Sequence, residues 1–109
     1  MILARVYIAG PYTVGDPQAN VNRAIDAWHA FADAGFIPFC PHLSHYLHVH
    51  RHRQYAEWLR HDLQWLALCD AVLRLPGESF RADSEVAFAV ENRIPVFASI
   101  DELHDAARP

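Results

Sequence analysis

The amino-acid sequence predicts a small α/β domain, in which about four parallel strands form a doubly wound sheet with helices on both faces. The first observation behind this prediction is that short apolar runs alternate with segments of helical periodicity, in the order β-α-β-α-β-α-β-α. The second is size and composition, because 109 residues that are 52% hydrophobic and 20% charged fit one domain, residues 1–109. Sheets of this Rossmann-like or flavodoxin-like class bind ligands beyond the carboxyl ends of their strands.

The first strand and the first helix are read from apolar spacing. Residues 2–9 form a mostly apolar run that is typical of a short strand. Asn20 is a suitable N-cap for the helix that follows, and Gly35 is a suitable stop. The apolar residues between these two recur at helical spacing: Val21, Ala24, Ile25, Trp28, Phe31 and Ala32.

The middle of the chain contains a strand, an irregular segment and a second helix. Residues 36–40 predict a second short strand, and Pro38 within it favours a position at the edge of the sheet. Residues 41–52 are rich in histidine and show no clear period, so we expect them to be irregular. Residues 54–68 have the apolar spacing of a second helix.

The last third of the chain completes the alternation. Residues 70–75 predict a third strand, residues from about 83 to 92 a third helix, and residues 94–100 a fourth strand before a short C-terminal helix. The loops after strands one and three, residues 10–17 and 76–82, should lie at the same edge of the sheet. We therefore expect the ligand site between these two loops.

Charge and composition exclude several classes of partner. A formal net charge of −4 argues against a nucleic-acid polymer, although one small anion needs only a local site. No run approaches the roughly 18 apolar residues of a membrane span, and the N-terminus lacks the pattern of a secretory signal. Cys40 and Cys69 form no CxxC pair, so we expect two buried free thiols and a cytoplasmic location.

Asp62 interrupts an apolar stripe on the second helix. On a helical wheel it falls in the middle of a broad set of apolar side chains: Tyr55, Trp58, Leu59, Leu63, Trp65, Leu66 and Cys69. A carboxylate on a core-facing stripe is costly unless it is paired or hydrogen-bonded. It is either a structural carboxylate bonded to an amide, an arginine or a histidine, or a desolvated acid in a pocket that moves a proton.

Glu85 is the second carboxylate that needs an explanation. At the start of the third predicted helix, with Asp83 or Ser84 as N-cap, the helix dipole alone would favour an anion there by roughly 0.3–1 kcal/mol. A capping box does not account for it, because Ala82 stands three residues before it. From spacing alone, a structural role and a functional role for Glu85 are equally supported.

The first predicted loop contains Gly10, Pro11 and Tyr12. A glycine at this place either lets a ligand approach the backbone closely or simply ends the strand. The sequence contains neither a G-x-G-x-x-G dinucleotide fingerprint nor a P-loop.

The histidine run requires a choice between metal binding and a pocket wall. The run consists of His42, His45, His48, His50 and His52. No cysteine or acidic ligand accompanies it, and its spacing matches no closed structural zinc motif. We therefore expect no metal, and we interpret the run as surface and pocket-lining imidazoles, with His45 beside the ligand.

Three segments occur in a fixed order along nearly the whole chain: YIAGPY, HDLQWLALCDAVLRLPG and SFRADSEVAFAVENRIPVF. In order and spacing they resemble the nucleoside 2-deoxyribosyltransferase-like family, which includes 2′-deoxynucleoside 5′-phosphate N-hydrolases. The resemblance implies that Glu85 attacks C1′ of the sugar, that Asp62 transfers a proton beside the base, and that Tyr7 hydrogen-bonds the nucleophile. It also implies that residues 10–12 approach the nucleotide.

Ser79 bears on the substrate. Members of that family that act on free nucleosides carry an acidic residue at the matching position, whereas phosphate-specific members carry serine. A serine hydroxyl and helix N-terminal amides suit a phosphate, which a carboxylate would repel. Arg81 and Asp83 depart from the family's small residues. Arg81 either contacts the phosphate or points to solvent, and Asp83 opposes a phosphate unless it faces away as a cap.

We therefore expect an N-glycosidase that cleaves the base–sugar bond of a (deoxy)nucleoside 5′-monophosphate through a covalent Glu85 glycosyl-enzyme, without a cofactor. Three alternatives remain: base exchange between nucleosides, a non-catalytic nucleotide-binding or sensing module on the same fold, and a metal-binding regulatory protein built on the histidine run. The exposed sheet edge and the resemblance predict a homodimer or higher homo-oligomer. Because the chain is shorter than typical members, the base pocket is expected to be trimmed or completed by a neighbouring subunit.

Overall fold

The computed structural model describes residues 4–107 of the protein. Within these residues the strands are β1 Arg5–Ala9, β2 Ile37–Phe39, β3 Ala71–Arg74 and β4 Val96–Phe97. The helices are α1 Pro17–Asp33, α2 Ser44–His50, α3 Tyr55–Leu66, α4 Phe80–Glu91 and α5 Ile100–Ala106, and a 3-10 turn at Pro41–Leu43 precedes α2. The predicted alternation of strands and helices is confirmed, with α2 as an addition.

The four strands form one parallel sheet in the order β2-β1-β3-β4. Tyr7 on β1 lies opposite Phe39 on one side and opposite Val72 on the other. Strand β2, which contains Pro38, is at the edge, as predicted. The chain winds in opposite directions from β1 and from β3, so the topological switch point lies between these two central strands.

Alternate side chains of β1 point to opposite faces of the sheet, and helices cover both faces, so these side chains pack in two separate cores. On one face Val6 and Ile8 pack with α1 and α5 through Ala24, Phe31 and Leu103. On the other face Tyr7 and Ala9 pack with α3 and α4, through Leu66, Ala82 and Ala89. The doubly wound fold with helices on both faces is confirmed.

Helix α1 starts earlier than predicted, because its N-cap is Asp16 and not Asn20. The Asp16 carboxylate accepts a hydrogen bond from an amide of the first turn at 3.0 Å, and Pro17 occupies the first helical position. Asn20 lies inside the helix and is buried. Its side-chain amide donates to the carbonyl oxygens of Tyr12 and Val14, both at 2.8 Å, and so fixes the loop after β1.

Helix α4 also starts earlier than predicted. Ser79 is its N-cap, and the Ser79 hydroxyl accepts a hydrogen bond from the amide of Ala82 at 3.0 Å. The prediction of Asp83 or Ser84 as N-cap is therefore wrong. Glu85 consequently lies in the second turn, where the helix dipole has largely decayed, so the dipole does not account for it.

Two further differences concern the helical segment after β2 and the length of the fourth strand. Residues 41–52 are mostly helical and not irregular, because they form the 3-10 turn and α2. Helix α2 has no buried residue, so it carries no apolar period from which it could be predicted. The fourth strand is shorter than predicted. Residues 2 and 3 of the first predicted strand lie outside the described residues.

The structure also bears on the predictions about membrane spans and about the two cysteines. No helix within residues 4–107 is long and apolar enough to cross a membrane. Cys40 and Cys69 are both free thiols; Cys40 is buried as predicted, whereas Cys69 is only half-buried.

Candidate active site

The loops after β1 and β3 meet at the carboxyl edge of the sheet. Gly77 has a φ of +116°, and a Cβ atom on it would lie 2.7 Å from Cγ of Pro11, so only glycine fits there. Arg74, at the end of β3, donates to the carbonyl oxygens of Leu75 and Gly77 and pairs with Asp83 at 3.0 Å. These contacts fix the two loops and the start of α4 in one arrangement.

Gly10 and Pro11 close the end of β1. A Cβ atom on Gly10 would lie 2.9 Å from Cβ of Leu75, so this glycine is needed for packing against the loop after β3. Gly10 also lines a small cavity next to Glu85. Pro11 is buried against Gly77 and is absent from the walls of the two cavities at this edge, so its predicted contact with a ligand gains no support.

Glu85 and Tyr7 form a buried pair between α4 and β1. The Tyr7 hydroxyl donates a hydrogen bond to Oε2 of Glu85, and the two side chains are 0% and 2% exposed. Glu85 reaches this position because Ala82, Glu85 and Ala89 share the buried face of α4. The sequence-based pairing of Tyr7 with Glu85 therefore corresponds to a direct contact.

Burial raises the pKa of the Glu85 carboxyl to about 7. The hydrogen bond from Tyr7 and the positive charges of Arg81 and Arg74 act in the opposite direction. The pKa of Tyr7 is raised as well, first by burial and then by the charge of Glu85, so this hydroxyl keeps its proton and remains a donor. Glu85 is thus a carboxyl that gains and loses its proton near neutral pH.

Asp62 and Arg81 form a second buried pair, between α3 and α4. Asp62 is 1% exposed, and its Oδ2 contacts Nη2 of Arg81. An arginine partner stabilises the ionised form of a carboxylate. The apolar stripe around Asp62 is narrower than predicted, because Tyr55 and Trp65 are exposed. Asp62 is therefore paired with an arginine, as expected for a structural carboxylate. Its partner Arg81, however, lines both cavities of the site.

Ser79 and Asp83 occupy different sides of the start of α4. Ser79 is 5% exposed and lines the larger cavity, and its hydroxyl already accepts the capping hydrogen bond from Ala82. A hydroxyl that accepts one hydrogen bond still has its own O–H to donate. Asp83 is exposed, pairs with Arg74 and lies outside the wall of that cavity. It faces away, although it is not a cap.

A cavity of about 540 Å³ opens next to these residues. This volume is within the usual range for small-molecule sites, roughly 300–1,000 Å³. Its wall combines the loop after β1, α2, the start of α3 and the N-terminus of α4. Aromatic residues form much of it: Tyr12, Tyr55, Trp58 and Phe80.

Hydrogen bonds between side chains hold the histidine part of this wall. The Tyr12 hydroxyl and Nδ1 of His45 are 2.6 Å apart. Nδ1 of His48 accepts a hydrogen bond from Nε1–H of Trp58 at 2.9 Å and a weaker one from the amide of Arg53. His45, which the sequence predicted to lie beside the ligand, and His48 are both in the wall of this cavity.

Several residues that line the large cavity were not predicted from the sequence. His48, Tyr55, Trp58 and Phe80 line the large cavity, and none of them was singled out as a binding residue. Phe80, at the first position of α4, is 83% exposed, and this exposure depends on where α4 begins, which the sequence misplaced. Tyr55 and Trp58 were assigned to the core because they fit the apolar period of α3.

Metal binding was considered for the histidine run. Among residues 4–107, no three histidine, cysteine, aspartate or glutamate side chains converge in a way that could hold a metal ion. His50 and His52 are exposed. Two buried pairs, Tyr7 with Glu85 and Asp62 with Arg81, lie at this edge.

The fold and site together define a class of protein: a doubly wound parallel α/β domain with buried carboxylates beside a cavity at its topological switch point. Residues 4–98 match the family described as a domain of unknown function, DUF7768, and the chain belongs to that family. No curated protein matches the chain.

Proposed function

We propose that this chain cleaves the N-glycosidic bond of a (deoxy)nucleoside 5′-monophosphate, with Glu85 as the nucleophile. The observation that carries this proposal is the buried hydrogen bond from the Tyr7 hydroxyl to Glu85 at the carboxyl edge of the sheet. A buried carboxylate that is fixed by one donor and borders a cavity is costly for folding, and such groups are frequent in active sites.

The charge of the cavity wall supports a phosphate on the substrate. Arg53 and Arg81 line the large cavity, and its wall includes no aspartate or glutamate within the part of the chain that the structure describes. Each arginine is paired with one carboxylate, Glu57 and Asp62 respectively, and a guanidinium has donors beyond those of one such pair. At the start of α4, Ser79 supplies a further O–H donor.

The aromatic residues of the large cavity suit the base. Tyr12, Tyr55, Trp58 and Phe80 offer flat faces on which a planar heterocycle can stack, a contact worth about 1–3 kcal/mol per base in nucleic-acid sites. The large cavity and the small cavity beside Glu85 share Tyr12, Ser44 and Arg81 in their walls. A base in the large cavity therefore leaves the sugar near Glu85.

The proposed reaction has two steps, each of which balances. In the first, a carboxylate oxygen of Glu85 bonds to C1′, and the base leaves with the electron pair of the glycosidic bond and takes up a proton. Asp62 is the proton source that the family resemblance implies: once Arg81 has moved off it, Asp62 takes up a proton from solvent and passes it to the departing base. In the second step a water oxygen bonds to C1′, the water gives a proton to the Asp62 carboxylate, and the bond between C1′ and the Glu85 oxygen breaks, which releases the Glu85 carboxylate.

The direct test is to incubate the protein with ribo- and deoxyribonucleoside 5′-monophosphates, with and without an added free base, and to separate the products by chromatography. We expect release of free base without an acceptor. Glu85→Ala should remove this activity, whereas Glu78→Ala, which alters an exposed carboxylate in the loop before α4, should retain it.

Other results of the same experiment would contradict the proposal. A new nucleotide that forms only with an added base would make the chain a transferase. Tight binding without cleavage would favour a nucleotide-sensing module. Full turnover by Glu85→Ala would exclude Glu85 as the nucleophile.

A further inference from the structure

The second, smaller cavity of the site lies directly beside Glu85. Its volume is about 10 Å³, which is close to the space that one water molecule or one hydroxyl group needs. Gly10, His42, Arg81 and Glu85 contribute to its wall. It is therefore too small for a base or a phosphate and of the right size for one hydroxyl group.

His42 has an unusual hydrogen-bond pattern in this wall. Its side chain is buried, and the residue is 5% exposed. Nε2 lies 3.1 Å from each of the carbonyl oxygens of Gly10 and Pro11. Since carbonyl oxygens only accept hydrogen bonds, Nε2 carries the proton and donates to both. Nδ1 of the neutral ring is then an acceptor, and it has no hydrogen-bond partner within residues 4–107.

The environment of His42 keeps the ring neutral. Burial lowers the pKa of His42, and the charge of Arg81 acts in the same direction, against the two carbonyl contacts. A neutral ring with Nε2–H offers Nδ1 only as an acceptor. Leaving a buried acceptor without a donor costs free energy, so a group that donates a hydrogen bond there gains binding.

The other polar groups of the small cavity restrict what that donor can be. The Ser44 hydroxyl already donates to the carbonyl oxygen of Pro41 at 2.7 Å, so it is not free to serve Nδ1. A phosphate oxygen without a proton cannot donate. A hydroxyl group can donate to Nδ1 of His42 and accept from Arg81, which is in the same wall.

We propose that Nδ1 of His42 accepts a hydrogen bond from one sugar hydroxyl group of the nucleotide, which makes His42 a specificity-determining residue for the sugar. This inference rests on the proposed function, because it takes the ligand to be a nucleotide whose C1′ lies at Glu85. The chain then selects nucleotides that carry this hydroxyl group over those that lack it.

Two substitutions distinguish the role of Nε2 of His42 as a donor from the role of Nδ1 as an acceptor. In His42→Gln the side-chain amide can replace Nε2–H as the donor to the loop after β1, but the acceptor at Nδ1 is lost. In His42→Asn the side-chain oxygen lies near the place of Nδ1, so the acceptor is kept and the donor is lost. Thermal unfolding of both variants reports the structural effect separately.

The experiment measures kcat/KM for base release from three nucleotides with the same base: the ribonucleoside, 2′-deoxyribonucleoside and 3′-deoxyribonucleoside 5′-monophosphates. We expect removal of one of the two hydroxyl groups to lower kcat/KM of the wild-type protein by about tenfold or more. His42→Gln should reduce that ratio severalfold relative to wild type, and His42→Asn should largely keep it.

The inference is overturned if the wild-type protein does not discriminate at either hydroxyl group, or if His42→Gln keeps the wild-type ratio. If His42→Gln and His42→Asn both lost this discrimination equally, the inference would also be overturned, because the effect would then come from distortion of the loop after β1. Base release with any of these ratios leaves the proposed function intact. If the wild-type protein releases no base from any nucleotide, the proposed function itself fails.

Discussion

At the scale of single residues, Glu85 links the stability of the protein to its proposed chemistry. Its carboxyl group is buried against Tyr7, and burial raises its pKa to about 7. The native state therefore holds a proton on Glu85 between about pH 4.5 and 7, where the unfolded chain has released it. The stability that this proton contributes is complete below that range and is lost as the pH rises through 7.

Replacement of Glu85 by glutamine should remove this pH-dependent loss of stability. We expect the stability of Glu85→Gln relative to wild type to increase by about 3 kcal/mol between pH 4.5 and pH 8, because the variant has no charge to bury. Urea unfolding of both proteins at the two pH values measures this change. Glu78→Gln, in an exposed position of the loop before α4, is the control, and its stability should follow that of wild type at both pH values. A constant difference between wild type and Glu85→Gln across this range would contradict the raised pKa.

Both carboxylates of the site could be found in the sequence, Asp62 because it interrupts an apolar helical stripe and Glu85 because no capping box accounts for it at a helix start. The hydrogen-bond and ion-pair partners of these carboxylates were harder to predict. Tyr7 came from the family resemblance, whereas the pairing of Asp62 with Arg81 depends on how α3 packs against α4 and has no local signal. His42 was grouped with its neighbouring histidines, since spacing cannot show which imidazole is buried without a full set of partners.

At the scale of elements, helix α4 combines a structural and a proposed functional role at its first turn. Ser79 caps the helix and also lines the large cavity. Ser99 caps α5 in the same manner, by accepting a hydrogen bond from the amide of Glu102 at 3.1 Å, and is outside that cavity's wall. The two serines therefore form a matched pair for separating capping from binding.

Ser79→Ala and Ser99→Ala should each lower the free energy of unfolding by about 1 kcal/mol, through loss of the cap. Only Ser79→Ala should also raise KM for a nucleoside 5′-monophosphate, by roughly fivefold, because it removes an O–H donor to the phosphate. Denaturant unfolding and steady-state kinetics measure the two effects. Equal KM values for the two variants would exclude Ser79 from the phosphate site.

The elements with a buried face have the clearest apolar periods in the sequence. Strands β1 and β3 and helices α1, α3 and α4 each place apolar residues in a core, so their periods are visible in the sequence. Helix α2 was missed because it buries no residue. The starts of α1 and α4 were misplaced because Asp16 and Ser79 are the caps, while other capping residue types stand a few positions later.

At the scale of the whole molecule, strand order determines where the chemistry can occur. The order β2-β1-β3-β4 places the loops after β1 and β3 side by side at the switch point. Tyr7 comes from β1, His42 from the segment after β2, and Glu85 from the helix after β3. Residues far apart in sequence thus meet at one edge, which explains how a chain of 109 residues builds the site.

The central claim, that Glu85 forms a covalent bond to the sugar, can be tested by mass spectrometry. A 2′-fluoroarabino nucleoside 5′-monophosphate should slow release of the sugar, because fluorine destabilises the oxocarbenium-like state. After acid quenching and digestion, we expect the wild-type peptide that contains Glu85 to carry the mass of the fluorinated sugar phosphate, and Glu85→Gln to carry none. Release of base with an unmodified Glu85 peptide, or the same adduct on Glu85→Gln, would contradict the mechanism.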